Sequence, residues 1–348
     1  MAAQREPIPD WTDRIVYGDC RRVLREMIVD GIRVDSCITS PPYWGLRDYG
    51  DPGQLGLEDS LDSYIAAQAD IFDMVRELLT PHAPEPGESA RPAGTLWLNM
   101  GDAYVSQRKG SAGKNPSEVE RGKRAHSANF FVRYARRTWL RRKNLIGLPW
   151  HLAFALQRRG WILRDCIIWE KPNPVPESSK DRTTKCHEYL FMLTPGPVYY
   201  YDAAAIAELR VTNIDKPVGG WAAHGAHDTV EHNRPSDSDQ KTKYEYAAGT
   251  KRTIASGERR RPRSVWTIPT EPYKGAHYAA FPKALAARCL LAGTPPGGIV
   301  LDPYMGTGTV AAVAKQLGRH YAGIELNEKE YAPLIAERLE NAAQGLEL

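Results

Sequence analysis

The stretch Ile299-Val300-Leu301-Asp302-Pro303-Tyr304-Met305-Gly306-Thr307-Gly308-Thr309 decides how the chain folds. Its aliphatic start, ending in a carboxylate, reads as a short buried strand. Pro303 stops the ladder, and the glycines form a turn that lets backbone approach a ligand closely. Val310 to Leu317 is a helical run of small residues stopped by Gly318. A second strand, Tyr321 to Leu326, carries Glu325 near its end. Glu328 to Asn341 then spaces Tyr331, Leu334, Ile335 and Leu339 as one face of a helix. The whole is a βαβ unit whose first helix starts opposite the glycine turn. An acidic residue about 20 positions past the glycines is placed to accept both hydroxyls of a ribose. Gly306-x-Gly308-x-x-Ala311 also satisfies the dinucleotide fingerprint, so this segment by itself leaves the identity of the nucleoside cofactor open.

A second run, Thr39-Ser40-Pro41-Pro42-Tyr43-Trp44, lies far upstream. It follows a stretch, Val34 to Ile38, that reads as a buried strand. Two consecutive prolines stop ladder and helix alike and stiffen the backbone. Pro41 has no N–H, so the local backbone is rich in acceptors. With a hydroxyl before the turn and an aromatic ring after it, such a site suits a planar base bearing an exocyclic amine.

This run resembles the catalytic motif of the DNA amino-methyltransferases, which methylate N4 of cytosine or N6 of adenine. The serine-first form is the one most often met in the cytosine-N4 group. The glycine turn, opening Asp302-Pro303-Tyr304, is similar to the same family's S-adenosylmethionine loop, usually Asp-Pro-Phe-x-Gly-Ser-Gly-Thr. Tyr304 and Thr307 depart from it while keeping size and shape. Ala276 to Pro282, with Leu285, resembles the family segment that closes over the methionine end of the cofactor. The catalytic run precedes the cofactor loop, an order similar to the beta group of the family.

Tyr17-Gly18-Asp19 resembles the position whose carboxylate meets the cofactor adenine, and it reads equally as a helix N-cap before Cys20 to Met27. Trp161 to Trp169 alternates as a strand. Glu170 to Pro174 and His187 to Phe191 look like the middle motifs that wall the base pocket. The resemblance covers about 15–50, 95–102, 144–202 and 264–342.

It implies a doubly wound, mostly parallel α/β sheet with helices on both faces, in permuted order, and a target-recognition insert. It implies S-adenosyl-L-methionine as cofactor, bound by Asp19, Thr39, Phe281, Asp302, Pro303, Tyr304, Gly306, Thr307, Gly308, Thr309 and Glu325. Catalysis would fall to Ser40, Pro41, Pro42 and Tyr43. The Ser40 hydroxyl and the Pro41 carbonyl would accept the two amine hydrogens, and Tyr43 would stack on the base. The target base would leave the duplex to reach them. A Pro-Cys pair, the mark of carbon-5 cytosine enzymes, is absent.

Bulk properties set the outer limits. The chain has 348 residues, 42% hydrophobic and 25% charged, enough for one large domain. Its net charge is only +4, so contact with nucleic acid must come from local patches. Five scattered cysteines without CxxC spacing argue against a disulfide scaffold and a zinc site. His224, His227 and His232 lack matching ligands, and no metal is expected. The absence of an apolar leader or a run near 20 apolar residues predicts a cytoplasmic protein, in a bacterial or phage-infected cell.

From Arg121 to Lys143 nine Lys/Arg stand without Asp or Glu, interleaved with Phe130, Phe131, Tyr134 and Trp139. This mixture suits phosphate contact with stacking, or a solvated basic face. Arg133, Arg136, Arg137, Arg141, Arg142 and Lys143 are the candidate DNA contacts.

The domain reading assigns 1–102 and 144–202 to the catalytic half and 103–143 to a basic insertion. Residues 203–263 form the candidate recognition region, and 264–348 the cofactor half. Thr80 to Pro92 reads as a surface insertion. Double-stranded DNA is the expected partner, with a cognate restriction endonuclease as a second. Monomer and homodimer both stay open, as do adenine N6 as target, a nicotinamide-dependent oxidoreductase and a silent DNA-binding relative.

Overall fold

The computed structural model describes residues 11–45, 51, 53–81, 91–105, 139–174, 176–177, 179–209, 259–271 and 281–342. The chain divides into one unit of residues 1–206 and 263–348 and another of 207–262. Within the second, β6 (Glu208–Leu209) pairs antiparallel with β7 (Arg259–Arg260), and Arg260 faces Glu208 at 3.4 Å.

The larger unit is built on an eight-stranded sheet. Its strands are β1 (Arg14–Tyr17), β2 (Ser36–Thr39), β3 (Thr95–Met100), β4 (Ile162–Glu170), β5 (His187–Thr194), β8 (Val265–Thr267), β9 (Ile299–Asp302) and β10 (His320–Glu325). They lie in the order β1-β10-β9-β2-β3-β5-β4-β8. All neighbours are parallel except β5, which runs against both β3 and β4. β9 and β2 are adjacent, and the chain leaves them in opposite directions, β9 toward β10 and β2 toward β3. That is a topological switch point, where α/β sheets bind ligands at the carboxyl ends of their strands.

Strand alternation divides the core between the two faces. Leu96, Leu98 and Met100 of β3 join one buried cluster and Trp97 the other. The first face carries α1 (Cys20–Val29), α2 (Leu61–Leu79) and α3 (Leu148–Arg158); the second carries α4 (Lys283–Gly293), α5 (Thr309–Gln316) and α6 (Glu328–Asn341). α1 shows the reason in its sequence. Cys20, Val23, Leu24 and Met27 are buried at helical spacing, and Asp19 caps the first turn by accepting from the Arg21 N–H. Asn327 caps α6 in the same way, accepting from the Glu330 N–H. Gly308 opens α5 at φ 77°, left-handed backbone that favours glycine.

Element boundaries shift slightly from the sequence reading. The strand expected at Val34 to Ile38 runs Ser36–Thr39 instead. The Val34 N–H is taken by the Leu78 carbonyl of α2, outside the ladder. The helix expected to end at Met27 continues to Val29. Most of Thr80 to Pro92 and all of His224, His227 and His232 lie outside the described residues. Among the described residues no helix is long and apolar enough to cross a membrane.

Candidate active site

The carboxyl ends of β9, β10, β2 and β3 open into one cavity of about 1180 Å3. Both sequence motifs meet there. Ser40, Pro41, Pro42 and Tyr43 leave β2 on one side; Asp302 to Thr307 and Thr309 leave β9 on the other. One turn of α2 braces the two loops. Tyr64 donates to the Pro42 carbonyl at 2.9 Å, and Tyr304 donates to Gln68 Oε1 at 2.8 Å. Tyr64 and Gln68 share a helix face at i, i+4, so a single rigid element sets the distance between catalytic turn and cofactor turn.

On the cofactor side the carboxylates are buried. Asp302 Oδ1 accepts from the Thr39 hydroxyl at 2.7 Å and the Tyr304 N–H at 3.1 Å. Burial still pushes the Asp302 carboxyl up to about 7, against the pull of those two bonds. Glu325 accepts the Gly306 N–H at 2.7 Å and the Asn327 N–H at 3.0 Å, which pins the glycine turn. Burial pushes it to about 7 as well, with the Asp302 charge adding to the rise. Asp19 is the helix cap the sequence allowed, and the residue also lines the cavity. Burial opposes its ionisation, but hydrogen bonds from Arg21 hold it below the usual range. Phe281 lines the same wall, as do Leu326 and Asn327, which the sequence reading did not single out. Gly308 is the one predicted cofactor residue that does not line the cavity; its part is to start α5.

On the catalytic side three elements converge on Glu188 of β5. The Tyr43 hydroxyl donates to Glu188 Oε2 at 2.9 Å and lies 3.2 Å from Ser40 Oγ. Asn99, at the end of β3, gives its amide to Glu188 Oε2 at 2.8 Å and to the Tyr43 oxygen at 3.3 Å. Lys171, just past β4, pairs with Glu188 Oε1 at 2.5 Å and sits 4.4 Å over the Trp169 ring. Burial works to protonate Glu188, but the Lys171 charge and the bonds from Lys171, Asn99 and Tyr43 hold it below the usual carboxylate range. Burial, then the Glu188 charge, drives the Tyr43 phenol well up, so it stays protonated. Lys185 reaches the Asp102 carbonyl, and its ammonium is lowered chiefly by burial. Glu188, Asn99, Lys171 and Lys185 were not among the predicted site residues.

Of the candidate DNA contacts, Arg141 and Arg142 are exposed, and Lys143 is ion-paired with Asp181. Arg133, Arg136 and Arg137 lie outside the described residues.

The fold and this two-sided cavity place the chain in the doubly wound α/β class, with a ligand-sized cavity at the switch point of the sheet. The family model described as DNA methylase, of the N6/N4 type, matches residues 34–337. The chain belongs to that family. It is 41% identical over 326 residues to the Type II methyltransferase M.SmaI of Serratia marcescens, covering 94% of this chain and 90% of that one. It is 39% identical over 326 residues to M.Cfr9I of Citrobacter freundii, covering 93% and 86%. The fold is similar to that of the cytosine-N4-specific PvuII DNA methyltransferase, with TM-score 0.53, 15% identity, and coverage of 95% and 89%. It is also similar to a DNA modification methylase of Thermus thermophilus, described as putative and complexed with S-adenosyl-L-methionine, with TM-score 0.52, 21% identity, and coverage of 96% and 95%.

The family's cofactor is S-adenosylmethionine, which closes the nicotinamide reading of the glycine turn. The residues present fit it. Carboxylates at Asp19, Asp302 and Glu325 suit a cationic ligand with ribose hydroxyls, and the Phe281 ring adds apolar wall to the same cavity.

Proposed function

We propose that this DNA methylase acts on N4 of cytosine at a specific duplex site, taking the base out of the helix and methylating it by direct in-line transfer. The observation that carries the reading is the Ser40–Tyr43 pair, 3.2 Å apart, on the wall of the cavity that also holds the Asp302–Thr309 turn. S-adenosylmethionine supplies an electrophilic methyl group on sulfonium. Ser40 Oγ and the Pro41 carbonyl accept the two hydrogens of the exocyclic amine. Those bonds strengthen as positive charge builds on the nitrogen, so they favour the transition state over the ground state. The Tyr43 ring stacks on the base, a contact worth ~1–3 kcal/mol. Asp302 and Glu325 bind and orient the cofactor beside it, and alignment of this kind can supply ~7–11 kcal/mol of the barrier.

Two features favour cytosine. The motif begins with serine, and the base side of the cavity carries two ammonium groups, Lys171 and Lys185. Along the Watson–Crick edge from its amine, cytosine presents two acceptors, ring N3 and carbonyl O2, whereas adenine presents N1 and then a C–H. A donor-rich wall suits the first edge better. Adenine N6 is the second reading and uses the same residues.

Duplex DNA is held by Arg141, Arg142 and the basic segment 103–143, and its sequence is read by 203–263. Lys143, whose charge is shared with Asp181, contributes less. A cognate endonuclease is the expected partner, since the relatives bear the name Type II methyltransferase, and the pair acts in the cytoplasm. Incubation with S-adenosylmethionine and unmethylated genomic DNA, digestion to nucleosides and mass spectrometry tests this reading. N4-methylcytosine is expected. N6-methyladenine would replace the base and keep the site, and DNA binding with no methylated nucleoside would favour a silent relative.

A further inference from the structure

Counting donors and acceptors around Glu188 fixes the direction of each hydrogen bond. Lys171 can only donate, and it takes Glu188 Oε1. The Asn99 amide donates one hydrogen to Glu188 Oε2 and the other to the Tyr43 oxygen. Tyr43 has a single hydroxyl hydrogen, and Glu188 Oε2, an ionised acceptor at 2.9 Å, takes it. The Gly101 backbone N–H also turns toward the Tyr43 oxygen. With the one hydrogen of Tyr43 committed to Glu188, the only sense left for the 3.2 Å contact is Ser40 donating to the Tyr43 oxygen. That leaves the lone pairs of Ser40 Oγ, and not its hydrogen, for the cavity that Ser40 lines. An exocyclic amine needs an acceptor there, and a hydroxyl turned the other way would oppose it with a hydrogen.

We propose that Glu188 is a positioning residue for methyl transfer: held by Lys171 and Asn99, its carboxylate acts through the Tyr43 hydroxyl to keep the Ser40 hydroxyl turned as an acceptor toward the target amine. The inference rests on Ser40 as the amine's partner. Nothing about Glu188 alone in sequence announces the role; the juxtaposition of four elements does. The turn after β2 supplies Ser40 and Tyr43, β3 supplies Asn99, the position just past the end of β4 supplies Lys171, and β5 supplies Glu188. The carboxylate never touches the substrate in this arrangement. It sets the polarity of a chain two hydrogen bonds long.

Glu188→Gln is the most direct probe. The amide oxygen would turn to Lys171, which can only donate, so the NH2 would face Tyr43. Tyr43 would then accept from residue 188 and give its own hydrogen to Ser40, reversing the chain. Tyr43→Phe keeps the ring and the Lys171–Glu188 pair but cuts the chain, so it tests the same point should the glutamine variant fail to fold. Single-turnover methyl transfer is measured for both variants, the double variant and Ser40→Ala, with cofactor and DNA affinities measured separately.

The expected result is a loss of at least roughly tenfold in the transfer rate for each single variant, affinities unchanged within about twofold, and no further loss in the double variant, because contacts in one network are not additive. Wild-type transfer by Glu188→Gln or Tyr43→Phe would overturn the proposal. So would a Glu188→Gln effect that is just as large in the Tyr43→Phe background. A Ser40→Ala enzyme at the wild-type rate would instead remove the site reading beneath it, so the two failures are distinguishable.

Discussion

Thr39 and Asp302, 263 positions apart in the chain, share a 2.7 Å hydrogen bond at the switch point of the sheet. One residue ends the strand that leads into the catalytic turn, and the other ends the strand that leads into the cofactor turn. The Tyr304 N–H meets the same oxygen, Oδ1, so both protein bonds arrive on one side of the carboxylate. Asp302 itself lines the cavity. A carboxylate this deeply buried is costly to ionise; its two hydrogen bonds offset part of that cost, and a cation brought into the cavity offsets more.

This gives cofactor binding a pH dependence. Asp302 and Glu325 are both raised by burial to about 7 in the folded protein, while unfolded carboxyls titrate near about 4. Each contributes stability that is full below the unfolded value and is lost as pH rises through about 7. The free protein should therefore melt at lower temperature at pH ~8 than at pH ~6. A cationic cofactor prefers the ionised forms, so its affinity should rise over the same interval. Asp302→Asn should flatten both profiles, and calorimetry across that window checks them. An affinity independent of pH would contradict the role given to these carboxylates.

Glu325→Ala should weaken S-adenosylmethionine binding by about 1–3 kcal/mol, the range for removing a charged hydrogen-bonding group from a buried site. The loss has two sources, since Glu325 also pins the Gly306 and Asn327 backbone. Titration calorimetry measures it, and unchanged affinity would remove Glu325 from the cofactor site.

Gly101 has no room for a side chain. A Cβ there would stand 2.9 Å from the Tyr43 ring and 3.2 Å from the Glu188 carboxylate. The ring is rigid and the carboxylate is held by three donors, so neither yields cheaply. Gly101→Ala is expected to leave cofactor affinity intact and to lower turnover at least tenfold by displacing Tyr43, a misplacement of the kind that costs up to about 100-fold. Normal turnover would mean that the Tyr43 position tolerates shift.

The sequence made the cofactor half legible nearly residue by residue. Glu328–Asn341 is the helix its spacing predicts, and the strand read at Tyr321 to Leu326 lies at His320–Glu325. Local periodicity and a glycine turn determine those elements, and both are visible in a short window. The Ser40–Tyr43 turn stood out as a candidate for a different reason, because two prolines between a hydroxyl and an aromatic ring form a distinctive local string.

Glu188 was not legible as an anchor. In the stretch His187 to Phe191 it resembles any charge at the half-buried start of a strand. Its partnership with Lys171 depends on how β4 pairs with β5, and a register shift between Leu163 and Asp165 alters that pairing. No local pattern encodes such a shift. Asn99 held the available hint. A lone amide in the run Thr95–Met100, buried throughout, needs a buried polar partner.

The Ser40 turn is the proposed seat of methyl transfer to the amine of cytosine. Nucleoside mass spectrometry on DNA treated with wild-type protein and, in parallel, with Ser40→Ala tests it most directly. N4-methylcytosine from the wild type, lost or reduced at least tenfold in the variant while DNA and cofactor still bind, is the predicted result, in line with removal of a group that acts on developing charge. Equal yields from both proteins would contradict the account.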